Sequence, residues 1–354
     1  MLKNKVFSEQ RSFYERRTTR PILNLGSNEL IHPEVMDLHT DILYDSASQH
    51  LNRYPIHIDA VTQCAMTLSR SQDEILFSPG SDAAIRAFAY VLKNMNISRI
   101  ILPIPSYPAW AQVAAQNNIE VESFALAGKR DIDIDRLIKL IKNGSPSLVV
   151  VTAPNAPIGS DSLHIDDLIY IDKLCRSLNS LLVVDLCYAV FNNDIRQINI
   201  MTSQMITIFS ASKSFGLASS RIAAITGPTY ILQELALFGL ENSVSQHALD
   251  CFAYALSNWG QYEKIWHDIS VIRNNIRTEL LYKGMEVPKS EANFLHIVLP
   301  TEKAEDIYYS LLKHGIRTKI NTAIPWNTSI RFTIADHPMM ELALSTIINT
   351  WRGH

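Results

Sequence analysis

Several short runs of this chain are apolar from end to end, and that leaves few folds open to it. Ser147-Leu148-Val149-Val150-Val151-Thr152, Ser180-Leu181-Leu182-Val183-Val184-Asp185 and Met205-Ile206-Thr207-Ile208-Phe209 show little polar alternation. A strand with one wet face alternates with period two, so an unbroken apolar run implies cover on both faces, as in a central parallel sheet. The runs are too short to be helices. Arg99-Ile100-Ile101-Leu102-Pro103 is a further short strand, and Glu74-Ile75-Leu76-Phe77-Ser78 leads through a Gly turn into an apolar-periodic helix reaching Leu92. The expected class is α/β, a large domain with a mostly parallel central sheet flanked by helices. From Pro228 to about residue 285 the chain reads as helical, with apolar periodicity in 231–240 and 262–282. Strands at Phe294–Leu299 and Ser329–Ala335 and a last helix over 338–351 then suit a smaller α+β domain. The expected division is an N-terminal arm and small-domain part (1–30), a large domain (31–245) and a small C-terminal domain (246–354).

The chemistry concentrates where these strands end. Lys213 follows the 205–209 run in Ser210-Ala211-Ser212-Lys213-Ser214-Phe215-Gly216-Leu217, with Arg221 just beyond. Burial favours the neutral amine, which is the nucleophilic form a Schiff-base lysine requires. Ser210, Ser212 and Arg221 could hold a phosphate beside that amine. Asp185 closes the 180–185 run at the carboxyl end, where open α/β sheets place functional groups. Gly80-Ser81-Asp82 opens a helix whose free amides and dipole form an anion site, with Ser81 or Asp82 also suited to cap it. Neither G-x-G-x-x-G nor a Walker loop is present.

The whole pattern Ser-x-Ser-Lys-x-x-Gly-Leu-x-x-x-Arg resembles the pyridoxal-phosphate lysine signature of the class I and II aminotransferases. The likeness extends to the histidinol-phosphate aminotransferase branch and spans nearly the whole chain. It implies the type I fold of these enzymes and pyridoxal 5'-phosphate as cofactor. It also implies that Lys213 is tied covalently to the cofactor aldehyde, and that Gly80, Ser81, Asp82, Ser210, Ser212 and Arg221 lie at the cofactor phosphate. By the same resemblance Asp185 faces the pyridine nitrogen and keeps it protonated, Tyr188 donates to the phenolic oxygen, and Tyr107, held between Pro105 and Pro108, stacks on the ring. Tyr54, in Asn52-Arg53-Tyr54-Pro55, reaches across a homodimer interface to the partner's phosphate. Arg331 clamps the substrate carboxylate, and Asn28 lies near that carboxylate.

The chain departs from the family pattern in places. Asn-Pro-x-Gly is usual where this chain has Asn155-Ala156-Pro157-Ile158-Gly159, so either Asn155 makes the phenolic-oxygen contact or the contact is missing. Leu186-Cys187 replaces a usual Glu-x and is expected to lie away from the cofactor. Ile222-Ala223 follows Arg221 where x-Gly is common. The implied reaction is transfer of an amino group from a small-molecule amino donor to a keto acceptor. The alternatives are a decarboxylase resembling threonine-phosphate decarboxylase, an oxidative or eliminating enzyme of the same cofactor, and a non-catalytic protein that keeps the fold.

Bulk properties exclude other classes. A formal charge of −3 gives no reason to expect nucleic acid. Charged residues at 19% and hydrophobic residues at 47% describe an ordinary globular chain. No apolar run is long enough for a membrane span, and no signal-peptide h-region is evident near the start. The 4 cysteines are widely spaced and read as reduced thiols, so the expected location is cytoplasmic. The 11 histidines show no ligand spacing, and no metal is expected.

Overall fold

The computed structural model describes residues 22–45, 52–127, 131–160, 163–192, 205–240, 242–322, 326 and 328–353; the basic arm before residue 22 lies outside them. In chain order the strands are β1 (Leu23–Asn24), β2 (Ile75–Ser78), β3 (Arg99–Ile104), β4 (Glu120–Ala127), β5 (Asp131–Ile132), β6 (Ser147–Thr152) and β7 (Leu181–Asp185). Then follow β8 (Ile206–Ser210), β9 (Ala223–Thr226), β10 (Phe294–Val298), β11 (Ile316–Arg317), β12 (Lys319–Asn321) and β13 (Ser329–Thr333).

The large sheet has 8 strands in the order β2-β9-β8-β7-β6-β3-β4-β5. Strands β8, β7, β6, β3 and β4 run parallel to their neighbours, while β9 and β5 pair antiparallel. Helices cover both faces, and the all-apolar β6 and β7 are buried along their whole length, as their unbroken runs require. Chain order reverses between β3 and β6, since β4 leaves on one side and β6 to β8 build on the other. At such a switch point the carboxyl ends open a crevice.

A second sheet, β10-β13-β12, is antiparallel, and β1 pairs in parallel with β11. The N-terminal segment is thereby joined to the C-terminal third: Thr333 N–H donates to Leu25 O at 2.7 Å, and Ile31 bridges Ala335. The helical stretch expected from Pro228 divides into Thr229–Leu235, a π-helical turn Ala236–Leu240, Gln246–Ser257 and Trp259–Tyr282. The last of these props up the turn after β8. Phe215 is fully buried with its ring 4.8 Å from Tyr262 and 5.6 Å from Trp266, and Trp266 Nε1–H donates to Ser214 O at 2.5 Å. Gly216 follows at φ 69, where an added Cβ would stand 2.8 Å from Val35 Cγ1. Aromatic packing below and a left-handed glycine beyond therefore fix the turn that carries Lys213.

The two sheets are also linked by His296 on β10. Its Nε2–H donates to Pro157 O at 2.9 Å, and its Nδ1 accepts from Ser329 Oγ at 3.0 Å. Burial, with Arg331 and Lys319 adding positive charge nearby, lowers its pKa from 6.5 to about 3. The folded protein therefore holds this imidazole neutral, while the unfolded chain takes up a proton below about pH 6.5. Stability linked to His296 is fully present above that pH and is lost as the pH falls towards 3, at about 1.4 kcal/mol per pH unit at most. Urea titrations across that range should show a shallower acid-side decline for His296→Gln than for wild type; parallel declines would remove this account.

Candidate active site

A cavity of about 200 Å³ opens at the carboxyl ends of the large sheet. Its lining follows the strands one by one: Ser81 and Asp82 after β2, Tyr107 after β3, Ala156 after β6, Asp185 and Cys187 with Tyr188 at β7, Ser210, Ser212 and Lys213 at β8, and Ala218 and Arg221 before β9. Asp185 and Lys213, 28 positions apart in sequence, face the same space because β7 and β8 are parallel neighbours.

At one end lies an acid. Asp185 is 3% exposed and accepts a hydrogen bond from Cys187 N–H at 3.0 Å. Burial raises its pKa, Cys187 opposes the shift by hydrogen bonding, and the charge of Asp82 adds to it. A buried carboxyl in this state gains most by meeting a cation. At the other end lies an anion cradle. Gly80, not Ser81 or Asp82, takes the N-cap position of the helix Ser81–Asn94, at φ 76. A Cβ there would stand 2.7 Å from Arg221 Nη2, so the glycine lets the guanidinium approach the helix N-terminus. Arg221, itself at φ 55, lies 3.6 Å from Asp82 Oδ2, and Asp82 Oδ1 accepts from Tyr107 Oη at 2.8 Å. Asp82 thus aligns the arginine and the aromatic ring through its carboxylate. Ser210 Oγ accepts from Ser212 N–H at 3.3 Å, and Ser214 Oγ–H donates to Ser210 O, which holds the two hydroxyls beside the cradle.

Between the ends stands Lys213, whose Nζ donates to Ser27 O at 2.7 Å. Burial lowers its pKa; Glu29 and Cys187 oppose the shift, and Arg331 and Arg221 add to it. Tyr188 accepts from Asn28 Nδ2 at 2.9 Å, and its ring meets Phe294 edge-on at 5.5 Å. Arg331 is 9% exposed on β13, the central strand of the smaller sheet, with Nη2 donating to Gly26 O at 2.7 Å and its guanidinium 5.4 Å from the Phe294 ring centroid. It is not an edge residue facing solvent.

Two expectations need correction, those for Asn155 and Cys187. Asn155 does not line the cavity; Ala156 does. The Asn155 side chain is wholly buried, with neither amide atom hydrogen-bonded among the described residues, because the loop turns it inward while Asn155 N–H and C=O bond Ser160 and Gly159. Cys187 was expected away from the site and instead lines it, since Asp185 and Tyr188 flank a tight turn that faces the cavity. No pattern in the sequence marks that position beyond its place between those two residues. Tyr54 is 86% exposed and stands outside the cavity of this chain. Trp110 packs 5.8 Å from Phe88 in the core.

A buried acid, a desolvated lysine and an anion cradle around one crevice of a doubly wound sheet define a pyridoxal-phosphate enzyme of the type I fold. The family model for aminotransferase class I and II matches residues 20–346, and the chain belongs to that family. It is a pyridoxal 5'-phosphate-dependent aminotransferase. Curated relatives include histidinol-phosphate aminotransferases of Clostridium botulinum, 25% identical over 345 residues (94% of this chain, 93% of that protein), and of Thermoanaerobacter pseudethanolicus, 29% identical over 250 residues (68% and 67%). Solved structures with the same fold include histidinol-phosphate aminotransferase from Sinorhizobium meliloti in complex with pyridoxal-5'-phosphate, with TM-score 0.80, 19% identity and coverage of 96% of this chain and 93% of that one. L-threonine-O-3-phosphate decarboxylase from Porphyromonas gingivalis has TM-score 0.76, 17% identity and coverage of 94% and 100%.

Substituting Gly80→Ala should push Arg221 from its position and weaken pyridoxal phosphate binding about tenfold, roughly 1.4 kcal/mol. Pyridoxal, which lacks the phosphate, should lose much less. Equal losses for both ligands in equilibrium titrations would show that the cradle does not hold the phosphate.

Proposed function

We propose that the cavity carries the transamination, with Lys213 as the base and acid at the substrate α-carbon. The observation that supports this most directly is that Lys213 and Asp185 line one cavity together with Ser81, Asp82 and Arg221, the last beside Gly80. When bound, pyridoxal phosphate supplies an aldehyde that captures an amine and a protonated ring that accepts electrons from the α-carbon. Asp185, once opposite that ring nitrogen, is held as the anion and keeps the nitrogen protonated. Ser81, Ser210, Ser212 and Arg221 hold the phosphate, and Tyr107 packs on the ring. Tyr188 donates its hydroxyl proton to the phenolic oxygen. Lys213, neutral over a wider pH range than a solvated lysine, takes the α-proton and returns it one atom further along. Arg331 binds the substrate's anionic group and so fixes which α-carbon bond stands perpendicular to the ring.

The substrates are a small amino donor with an anionic group and a keto acceptor. Histidinol phosphate, the compound in the names of the relatives, is the first donor to screen. The chain divides near residues 31–245 and 246–354 into a larger cofactor-binding part and a smaller part that carries Arg331. Tyr54, exposed here ahead of Pro55, completes the phosphate site of a second copy in a homodimer. No helix of the described residues is long and apolar enough to cross a membrane, and the 4 buried free cysteines suit a reducing, cytoplasmic setting.

Purified protein supplied with pyridoxal phosphate should develop visible absorbance that borohydride reduction fixes on Lys213, and Lys213→Ala should abolish both. Trapping at Lys213 should persist at lower pH than at exposed lysines, because its lowered pKa leaves more neutral amine there. Mass mapping of the reduced adduct decides the point; an adduct elsewhere would overturn the assignment. With candidate donors, a keto product formed only when an acceptor is present supports transamination, whereas carbon dioxide release would favour the decarboxylase alternative.

A further inference from the structure

We propose that Asn28 is a positioning residue that turns the hydroxyl proton of Tyr188 into the cavity. The proposal rests on the reading that Tyr188 donates to a bound cofactor. It replaces the expectation that Asn28 meets the substrate carboxylate.

Asn28 is 2% exposed and sits at φ 55, a left-handed conformation that asparagine tolerates better than most residues. Its backbone is held from both sides, by a residue of β13 and by one just before β10. Asn28 N–H donates to Thr333 Oγ1 at 3.0 Å, and Asn28 O accepts from Asn293 Nδ2 at 3.2 Å. With the main chain fixed there, the side-chain amide reaches Tyr188 Oη at 2.9 Å through Nδ2. The Tyr188 ring has little freedom of its own, being half-buried against the core and met edge-on by Phe294 at 5.5 Å. Only the C–O torsion remains to place the hydroxyl proton.

A phenol oxygen has one proton to give. Where Asn28 Nδ2–H occupies one lone pair, the Tyr188 proton must point elsewhere, and the cavity that Tyr188 lines is the space available. Arg331, whose charge acts on the same phenol, also repels the proton from the small-sheet side. Asn28 therefore does for Tyr188 what an orienting hydrogen bond does for a catalytic histidine: it fixes which way the proton faces without touching the reacting atoms.

The test uses the full chain loaded with pyridoxal phosphate and follows the pH titration of its visible absorbance, not turnover. A hydroxyl that donates to the phenolic oxygen stabilises the deprotonated form, so losing that donor raises the titration midpoint. Tyr188→Phe should raise it by about one unit or more. Asn28→Asp keeps the shape and the left-handed backbone but offers an acceptor, which draws the Tyr188 proton away from the cavity. It should raise the midpoint by at least half the Tyr188→Phe shift, and adding it to Tyr188→Phe should produce no further rise. A midpoint unchanged in Asn28→Asp, or a shift that persists in the Tyr188→Phe background, overturns the proposal. Should Asn28→Asp fold poorly, Asn28→Ala read against the same Tyr188→Phe background decides it, with a rise confined to the tyrosine-containing protein as the expected result. Absence of any Lys213-dependent absorbance in the wild type would instead refute the underlying cofactor reading, which keeps the two failures apart.

Discussion

The site depends on one costly placement: a carboxyl group, Asp185, at the end of a strand with apolar neighbours on both faces. The side chain is almost fully buried there, and Cys187 steadies it by hydrogen bonding, its backbone N–H donating at 3.0 Å. A charge in that position is unfavourable until a cation stands opposite. This makes the carboxylate a selective partner for a cation and a poor partner for anything neutral. The same burial acts in the opposite sense on Lys213, one strand away, where it favours the uncharged amine. Burial in one crevice thus shifts an acid and a base in opposite senses from their ordinary affinities.

The parallel order β8-β7-β6-β3 explains why this crevice is there at all. Each strand delivers its following loop to the same end of the sheet, so residues far apart in sequence converge without long excursions. The loop between Lys213 and the antiparallel β9 carries Arg221 to the helix that Gly80 caps. Those two residues are 141 positions apart (221 less 80), yet a methyl group added to the glycine would meet the guanidinium. The cradle is therefore made jointly by a helix terminus and a returning arginine, and neither alone would be as strong an anion site.

Much of this was legible in the chain because it is local. Unbroken apolar runs announced β6, β7 and β8, and the residues at their carboxyl ends announced the acid and the lysine. Gly80 before a helical pattern announced the cradle. What the sequence could not disclose depends on where loops turn their side chains. Asn155 and Ala156 are neighbours, and only the fold shows that the alanine faces the cavity while the amide is buried. Cys187 looked incidental between Asp185 and Tyr188, but the tightness of that turn brings it to the wall. The Asn28–Tyr188 hydrogen bond spans 160 positions, so no periodicity or motif could signal it.

The short segment after β1 meets three of these side chains in succession. Gly26 O accepts from Arg331, Ser27 O accepts from Lys213, and the Asn28 side chain donates to Tyr188. Three consecutive residues each hold one functional group, and each of those groups comes from a different element. The segment is itself tied to the smaller sheet through Leu25 and Thr333, and to Asn293 just before β10. A shift of β13 that brought Arg331 onto an anionic substrate would pull on Gly26 and Thr333, and through the same few peptide units on the partners of Lys213 and Tyr188. Arg331, Lys213 and Tyr188 are thus joined through hydrogen bonds to three consecutive residues of one segment rather than by proximity alone. That connection gives a physical reason for the N-terminal segment to pack with the C-terminal third instead of with the large sheet it precedes.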